Sequence, residues 1–444
     1  MSQIPTLKKL FEVLRDMAGS IENEGLPTAE FEIWPRSFQI DGNQVQIPLL
    51  LSYERSDGAR FRTIENSDIV RSFKAVFAAG GDGLAHFDSE GSGCELLCIS
   101  TQSNDKSMLE RRYVPSRQPI IVGGSVVVNK VDGIVFNGPD QYFKSSDIFL
   151  ETDKFTVELK FLDQGYECYK QKRKRRDDTI PTSSIKLRCA EGEYLSARDA
   201  TRIFASISVF LTLLKGSNVG IGHLIGSVSG GCDEFAAIGV NRFDPFADTS
   251  GWYCRSALSD VSELFKEFWA ARNDQVLWSV LRRAIEFYRA SNVIRNSSVE
   301  MAVVTSHAAA EVLSHFVLER LGGWSGDLLS ERIPFHSKLR ASSARIGLDD
   351  DILEKSNELR VRSRDFNGAD GFELISIFRN RMVHPAKSID YTGLEAHDVW
   401  QVLQWLNELH ILFLLNYRGK MTDRRIRCGF AGEGEDIPLK PGFR

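Results

Sequence analysis

The sequence predicts an α+β protein, with a β-rich, sandwich-like first half followed by an all-helical second half. From about Phe31 to Leu187, apolar residues alternate with polar ones between Gly and Asp turns, the period of half-buried strands. From about Ser256 to Lys420 they recur at helical spacing between short polar connections, the pattern of an antiparallel bundle. The chain has 444 residues, 42% hydrophobic and 26% charged, enough for two or three domains with proper cores.

Taken in order, residues 1–20 read as an amphipathic helix: Leu7, Leu10, Phe11, Leu14 and Met17 lie on one face, and the interspersed charges exclude a signal peptide. Residues 21–255 form the β-rich domain. Phe31 and Ile33 open it, and Phe38 and Ile40 face Val45 and Ile47 across Asp41 and Gly42, a hairpin signal. Further strands are expected at Pro119–Val128, Gly133–Phe136 and Phe155–Phe161. Ser196 and Asp199 start a helix whose apolar run, Ile203–Leu214, is too short to span a bilayer. The glycines 220, 222 and 226 fit neither the dinucleotide fingerprint nor the P-loop, so Val219–Gly231 reads as turns between short strands.

The helical domain covers 256–424, with a tail at 425–444. Its helices are expected at Leu258–Ala271, Gln275–Ala290, Ser297–Leu321, Ile333–Ile346, Phe372–Val383 and Glu395–Tyr417. On the last of these, Val399, Leu403, Leu406 and Phe413 would supply part of an apolar dimer interface.

A net charge of −5 excludes a wholesale nucleic-acid coat, so any such contact must be local. The most basic run holds Lys170, Lys172, Arg173, Lys174, Arg175 and Arg176. It is either a solvated loop or a phosphate-contacting arm of salt-dependent affinity. Seven scattered cysteines without a repeated CxxC pair point to a reducing compartment, and the chain reads as cytoplasmic, with no membrane partner.

The richest chemistry lies in Glu373–Lys387. Asn380 and His384 are four apart and share a helix face, while the long forked side chain of Arg379 can swing toward the same place. Pro385 disfavours the α conformation at His384, which places the imidazole at the helix end among free carbonyls. The bland reading is that Arg and His are ordinary residues of a last helical turn. In the third helix of the bundle, His307, Glu311 and His315 are spaced by four and line one face. They read either as a three-ligand metal site or as Glu311 turned inward toward a buried cation, with Arg379 the obvious partner.

Three stretches carry a family resemblance: AIEFYRASN (Ala284–Asn292), SHAAAEVL (Ser306–Leu313) and, most specific, FRNRMVHP (Phe378–Pro385). Together with NYRGKMTDRR (Asn416–Arg425), they make the C-terminal region resemble the HEPN domains, in particular those of the ApeA-type bacterial anti-phage defence proteins. The resemblance covers about 160 residues and reaches the first half only loosely. It implies a metal-independent endoribonuclease without cofactor, acting as a homodimer in abortive infection. His384 would move the proton, Arg379 would hold the scissile phosphate, Asn380 would orient and Glu311 would fix Arg379. It also implies RNA as substrate, with Arg381 a further candidate contact, and a phage-derived trigger sensed by the first domain. The alternative is a catalytically inactive HEPN module for dimerisation or for binding nucleic acid or a ligand.

Overall fold

The computed structural model describes residues 127–139, 147–161, 181–229, 231, 233–240, 244, 251–348, 351–384, 391–426 and 434–440, together with the backbone of strands between residues 30 and 123. The expected helix at 1–20 and the basic run at 170–176 lie outside the described residues. The fold is α+β, antiparallel sheet followed by helices, as the two periodicities predict. It divides into two compact units: residues 1–140, 153–208 and 219–246 form the first; 141–152, 209–218 and 247–444 form the second. The division thus runs through the helix at 197–215 rather than at one point in the chain.

In the first unit, eight strands make one antiparallel sheet: β1 (Glu30–Ile33), β2 (Ser37–Ile40), β3 (Asn43–Val45), β4 (Leu49–Glu54), β5 (Gly58–Ile64), β6 (Leu84–Ser89), β7 (Ser92–Asn104) and β8 (Met108–Pro115). Their spatial order is β1-β4-β5-β8-β7-β6-β2-β3. Phe38 pairs with Val45 and Ile40 with Asn43, so β2 and β3 form the antiparallel pair that the hairpin signal predicts, while residues 41 and 42 lie outside the described residues.

A second antiparallel sheet places β12 (Phe155–Phe161), β13 (Pro181–Cys189), β10 (Lys130–Phe136), β14 (Gly220–Ser227), β15 (Asp233–Val240) and β9 (Ile120–Gly123) side by side in that order, while β11 (Ile148–Glu151) falls within the second unit. The glycine-rich stretch is here a correction, because β14 is one continuous strand paired on both edges. Close approach, rather than a turn, explains Gly226. A Cβ on Gly226 would run into the Phe235 ring, and one on Gly133 of β10 would stand 2.7 Å from Leu224 Cδ2. The registers on both sides of β14 shift, across Gly133 and across His223, whose φ of 53° marks the bulge.

Helix α1 (Ala197–Lys215) begins as the sequence predicts: Asp199 N–H donates to Ser196 Oγ at 3.1 Å. The second unit then runs α2 (Val261–Ala271), α3 (Gln275–Ile294), α4 (Val299–Phe316), α5 (Gly326–Glu331), α6 (Phe335–Arg345), α7 (Asn357–Asp365), α8 (Gly371–Val383) and α9 (Gly393–Leu414). Two short strands, β16 (Lys420–Met421) and β17 (Glu435–Asp436), close it. Short helices α5 and α7 fall between the segments expected from periodicity, being too brief to show it.

Helix α9 is the axis of this unit. Thr392 and Glu395 make a reciprocal capping box at its start, and the body is buried almost all round. Val399, Leu403, Leu406 and Phe413 are at most 1% exposed, so these four fill the unit's core and offer nothing to a partner chain. Polar groups from three further elements converge on the same helix. Glu408 accepts from Tyr288 Oη at 2.7 Å and from Arg424 Nε at 3.0 and 3.1 Å; Gln404 donates to Asn292 Oδ1 at 2.9 Å, and Asn407 donates to Ser306 Oγ at 3.0 Å. Asn292 in turn donates to the Gly216 carbonyl at 2.9 Å. Every one of these side chains is buried, so the network ties α3, α4, α9 and the segment after β16 into one arrangement.

Candidate active site

Helix α8 brings Arg379, Asn380 and His384 to one place. Asp370 caps its first turn by accepting from the Glu373 N–H at 2.9 Å, and Leu374, Ile375 and Phe378 bury its inner stripe against neighbouring helices. Helices α4, α6, α7 and α9 all pack against it. From α6, Arg340 Nε donates to Asp370 Oδ2 at 2.8 Å and locks the N-terminal end.

At the other end the helix stops at His384, whose φ of −111° and ψ of 103° are extended backbone. This is the conformation that the following proline demands. The His384 N–H still donates to the Asn380 carbonyl at 3.0 Å, so the imidazole is held one turn beyond Asn380, and both side chains are exposed. Between them and the core, the half-buried Arg379 donates from Nη1 to Asn380 Oδ1 at 3.1 Å. Its Nε–H is buried with no acceptor among the described residues. A guanidinium with five donors therefore retains capacity for an anion or another acceptor.

Glu311 is where expectation and structure part. Its carboxylate accepts from Lys338 Nζ of α6 at 3.1 Å, and no hydrogen bond joins it to Arg379. Arg379 nevertheless lies close enough to shape the surroundings of His307, one turn before Glu311 on α4. His307 is buried, with its ring centroid 3.7 Å from that of Phe335. Burial first, then the positive charges of Arg379 and Lys338, push its pKa down to about 4 against the opposing pull of Glu311. His307 is thus a neutral, interior imidazole.

The third member, His315, lies 3.5 Å from Glu319 Oε2 on the next turn. Among the described residues, no group of three or more His, Cys, Asp or Glu side chains is arranged to hold a metal ion. Spacing by four makes such residues neighbours on a helix surface, but α6 covers the part that carries His307.

Sequence reasoning missed Lys338 and Phe335, and a signal for both exists. Phe335, Lys338, Leu339 and Ser342 fall at i, i+3, i+4 and i+7, so Lys338 stands inside the buried stripe of α6. A lysine in that position needs a carboxylate, and Glu311 supplies it. Arg381, the further candidate contact, holds its guanidinium carbon 4.7 Å from the Phe366 ring centroid.

Comparison with known proteins meets the chain in this same region. Residues 274–434 match the model of the YopA C-terminal domain family, a span that runs from the cap of α3 to just short of β17 and includes every residue of the site. The SPbeta prophage-derived uncharacterized protein YopA of Bacillus subtilis (strain 168) is 25% identical over 204 residues, which cover 45% of this chain and 45% of that protein. The chain thus spans less than half the length of the curated relative that it matches. No solved structure matches it.

Proposed function

We propose that the helical region is a HEPN-type endoribonuclease that cuts RNA without a metal cofactor, and that α8 contributes half of an active site completed by a second copy of the chain. The observation that carries this reading is the end of α8. An exposed imidazole, an exposed carboxamide and an arginine with unmet donors stand within one helical turn on a rigid element.

In this chemistry the RNA 2′-oxygen attacks the adjacent phosphorus and the 5′-oxygen of the next nucleotide leaves, giving a 2′,3′-cyclic phosphate. His384 takes the proton from the 2′-hydroxyl, and its counterpart on the partner protomer protonates the leaving oxygen. Arg379 stabilises the charge that builds on the phosphoryl oxygens, a task suited to a fork of N–H donors. Asn380, already bonded to Arg379, orients that fork. Glu311 acts one step further away than the family resemblance implies, by holding Lys338 within the positive surroundings of Arg379.

Similarity to a prophage-derived protein is in keeping with a phage-related setting, and the role proposed is anti-phage defence by abortive infection with a phage-derived trigger.

The test is cleavage of total RNA in EDTA, with and without lysate from phage-infected cells. Wild-type protein is expected to release fragments ending in 2′,3′-cyclic phosphate and to spare DNA, which lacks the attacking hydroxyl. His384→Ala and Arg379→Ala are expected to cut at least a hundredfold more slowly while staying folded. RNA left intact by triggered wild-type protein would sink the ribonuclease reading. Altered RNA binding or oligomerisation in the two variants, with no cleavage to lose, would then point to the inactive module.

A further inference from the structure

Beside His384 stands a second feature that the cleavage chemistry does not use. Phe366, at the end of α7, is half-buried and flanked by two arginines from different helices. The guanidinium carbon of Arg381 lies 4.7 Å from its ring centroid and that of Arg362 lies 5.6 Å away. The two cations differ in their charge partners. Arg362 is paired with Asp365 at 2.9 Å and stands 3.4 Å from Glu395, so its charge is largely offset. Arg381 has no carboxylate partner among the described residues and is held by the ring.

The backbone sets this arrangement. Asn367 and Gly368 both adopt positive φ, 55° and 74°, and turn the chain sharply from α7 toward α8, which leaves the Phe366 ring against the C-terminal half of α8. Arg381 lies in the last turn of the helix, three residues before its cap His384. Arg364 nearby is exposed and also lacks an ion pair among the described residues. Arg381 is half-buried, and a planar cation held by an aromatic ring near the helix end is a group suited to stacking. Guanidinium planes stack on unpaired bases, and a base inside a duplex has no free face to give.

We propose that Arg381, supported by Phe366, is a stacking platform for an unpaired base adjacent to the scissile phosphate. This rests on the ribonuclease reading for its meaning, but binding tests it separately from cleavage. The probe is a fluorescently labelled, fully 2′-O-methylated oligonucleotide, which has no hydroxyl with which to attack, used alone and annealed to its complement. Binding is followed by anisotropy with the full-length protein.

Wild-type protein is expected to bind the single strand at least tenfold more tightly than the duplex. Arg381→Lys, which keeps the charge and loses the plane, is expected to weaken single-strand binding about tenfold and duplex binding less than twofold. Phe366→Leu, which keeps apolar volume and loses the ring, is expected to act in the same direction. Equal affinity for both probes, no measurable binding, or an Arg381→Lys protein that binds the single strand as wild type does would each overturn the platform. If the platform behaves as expected and triggered protein cuts no RNA, the nuclease reading falls alone. If RNA is cut and the substitutions change neither binding nor cleavage, the platform falls alone.

Discussion

Two arginines of the helical unit, Arg424 and Arg379, differ in how far their donors are met. Arg424 is buried, and its Nε, Nη1 and Nη2 reach Glu408, Asn292 and the Tyr288 hydroxyl. The negative charge of Glu408 outweighs burial and holds the guanidinium firmly charged. Arg379 is half-exposed, makes one bond to its chain neighbour and keeps an Nε–H with no acceptor among the described residues. A saturated arginine specifies an arrangement of helices, whereas an unsaturated one at a helix end is free to meet a ligand.

The sharpest way to break the contrast is to remove each arginine and read stability and cleavage together. Arg424→Ala leaves Glu408 buried without its counter-charge, and a loss of about 3–5 kcal/mol in urea unfolding is expected. Arg379→Ala should stay within about 1 kcal/mol of wild type while abolishing cleavage. Equal destabilisation by both would make Arg379 a structural residue like Arg424.

Acid should act on the interior of the helical unit. His307 and His410 are buried, and burial foremost pushes the pKa of each down to about 4. At His410, Nδ1 bonds to the Leu406 carbonyl at 2.8 Å and Nε2 lies 3.0 Å from Ser342 Oγ. The unfolded chain protonates these groups near 6.5, the folded chain only near 4. Their contribution is therefore complete above about pH 6.5, falls as the pH drops toward 4, and levels off below. Each accounts for roughly 3 kcal/mol across that window. Urea midpoints between pH 7.5 and 4 should show the slope, and His410→Asn should flatten part of it. An unchanged slope in that variant would remove His410 from the account.

The smallest effect tests the pairing of Glu311. A double-mutant cycle of Glu311→Gln with Lys338→Met should give a coupling of about 0.5–1 kcal/mol, since one partner is buried and the other half-exposed. The cycle of Glu311→Gln with Arg379→Ala should give a coupling near zero. The reverse order would restore the pairing expected from sequence.

Much of the helical unit was legible because its signals are local. The spacing of apolar residues located α2, α3, α4, α6, α8 and α9 to within a few residues. The pairing of β2 with β3 and the Ser196 cap were readable for the same reason. The glycine-rich stretch of β14 was misread because the cause at Gly226 lies on a neighbouring strand, a Phe235 ring that leaves no room for a Cβ. The apolar face of α9 was misassigned to an interface because periodicity says which residues are buried, not what buries them.

By itself, the sequence determined that an arginine, an asparagine and a histidine stand within one turn at a proline-stopped helix end. Backbone sterics and the helical repeat act over a few residues, so no tertiary context was needed. Only the tertiary structure decided that Glu311 meets Lys338, that His307 is a buried neutral imidazole, and that Arg381 lies over Phe366. It also decided that Tyr288 and Arg424, 136 residues apart, share one carboxylate. Those pairings depend on the register between packed helices, set by the summed fit of many side chains rather than by any local spacing.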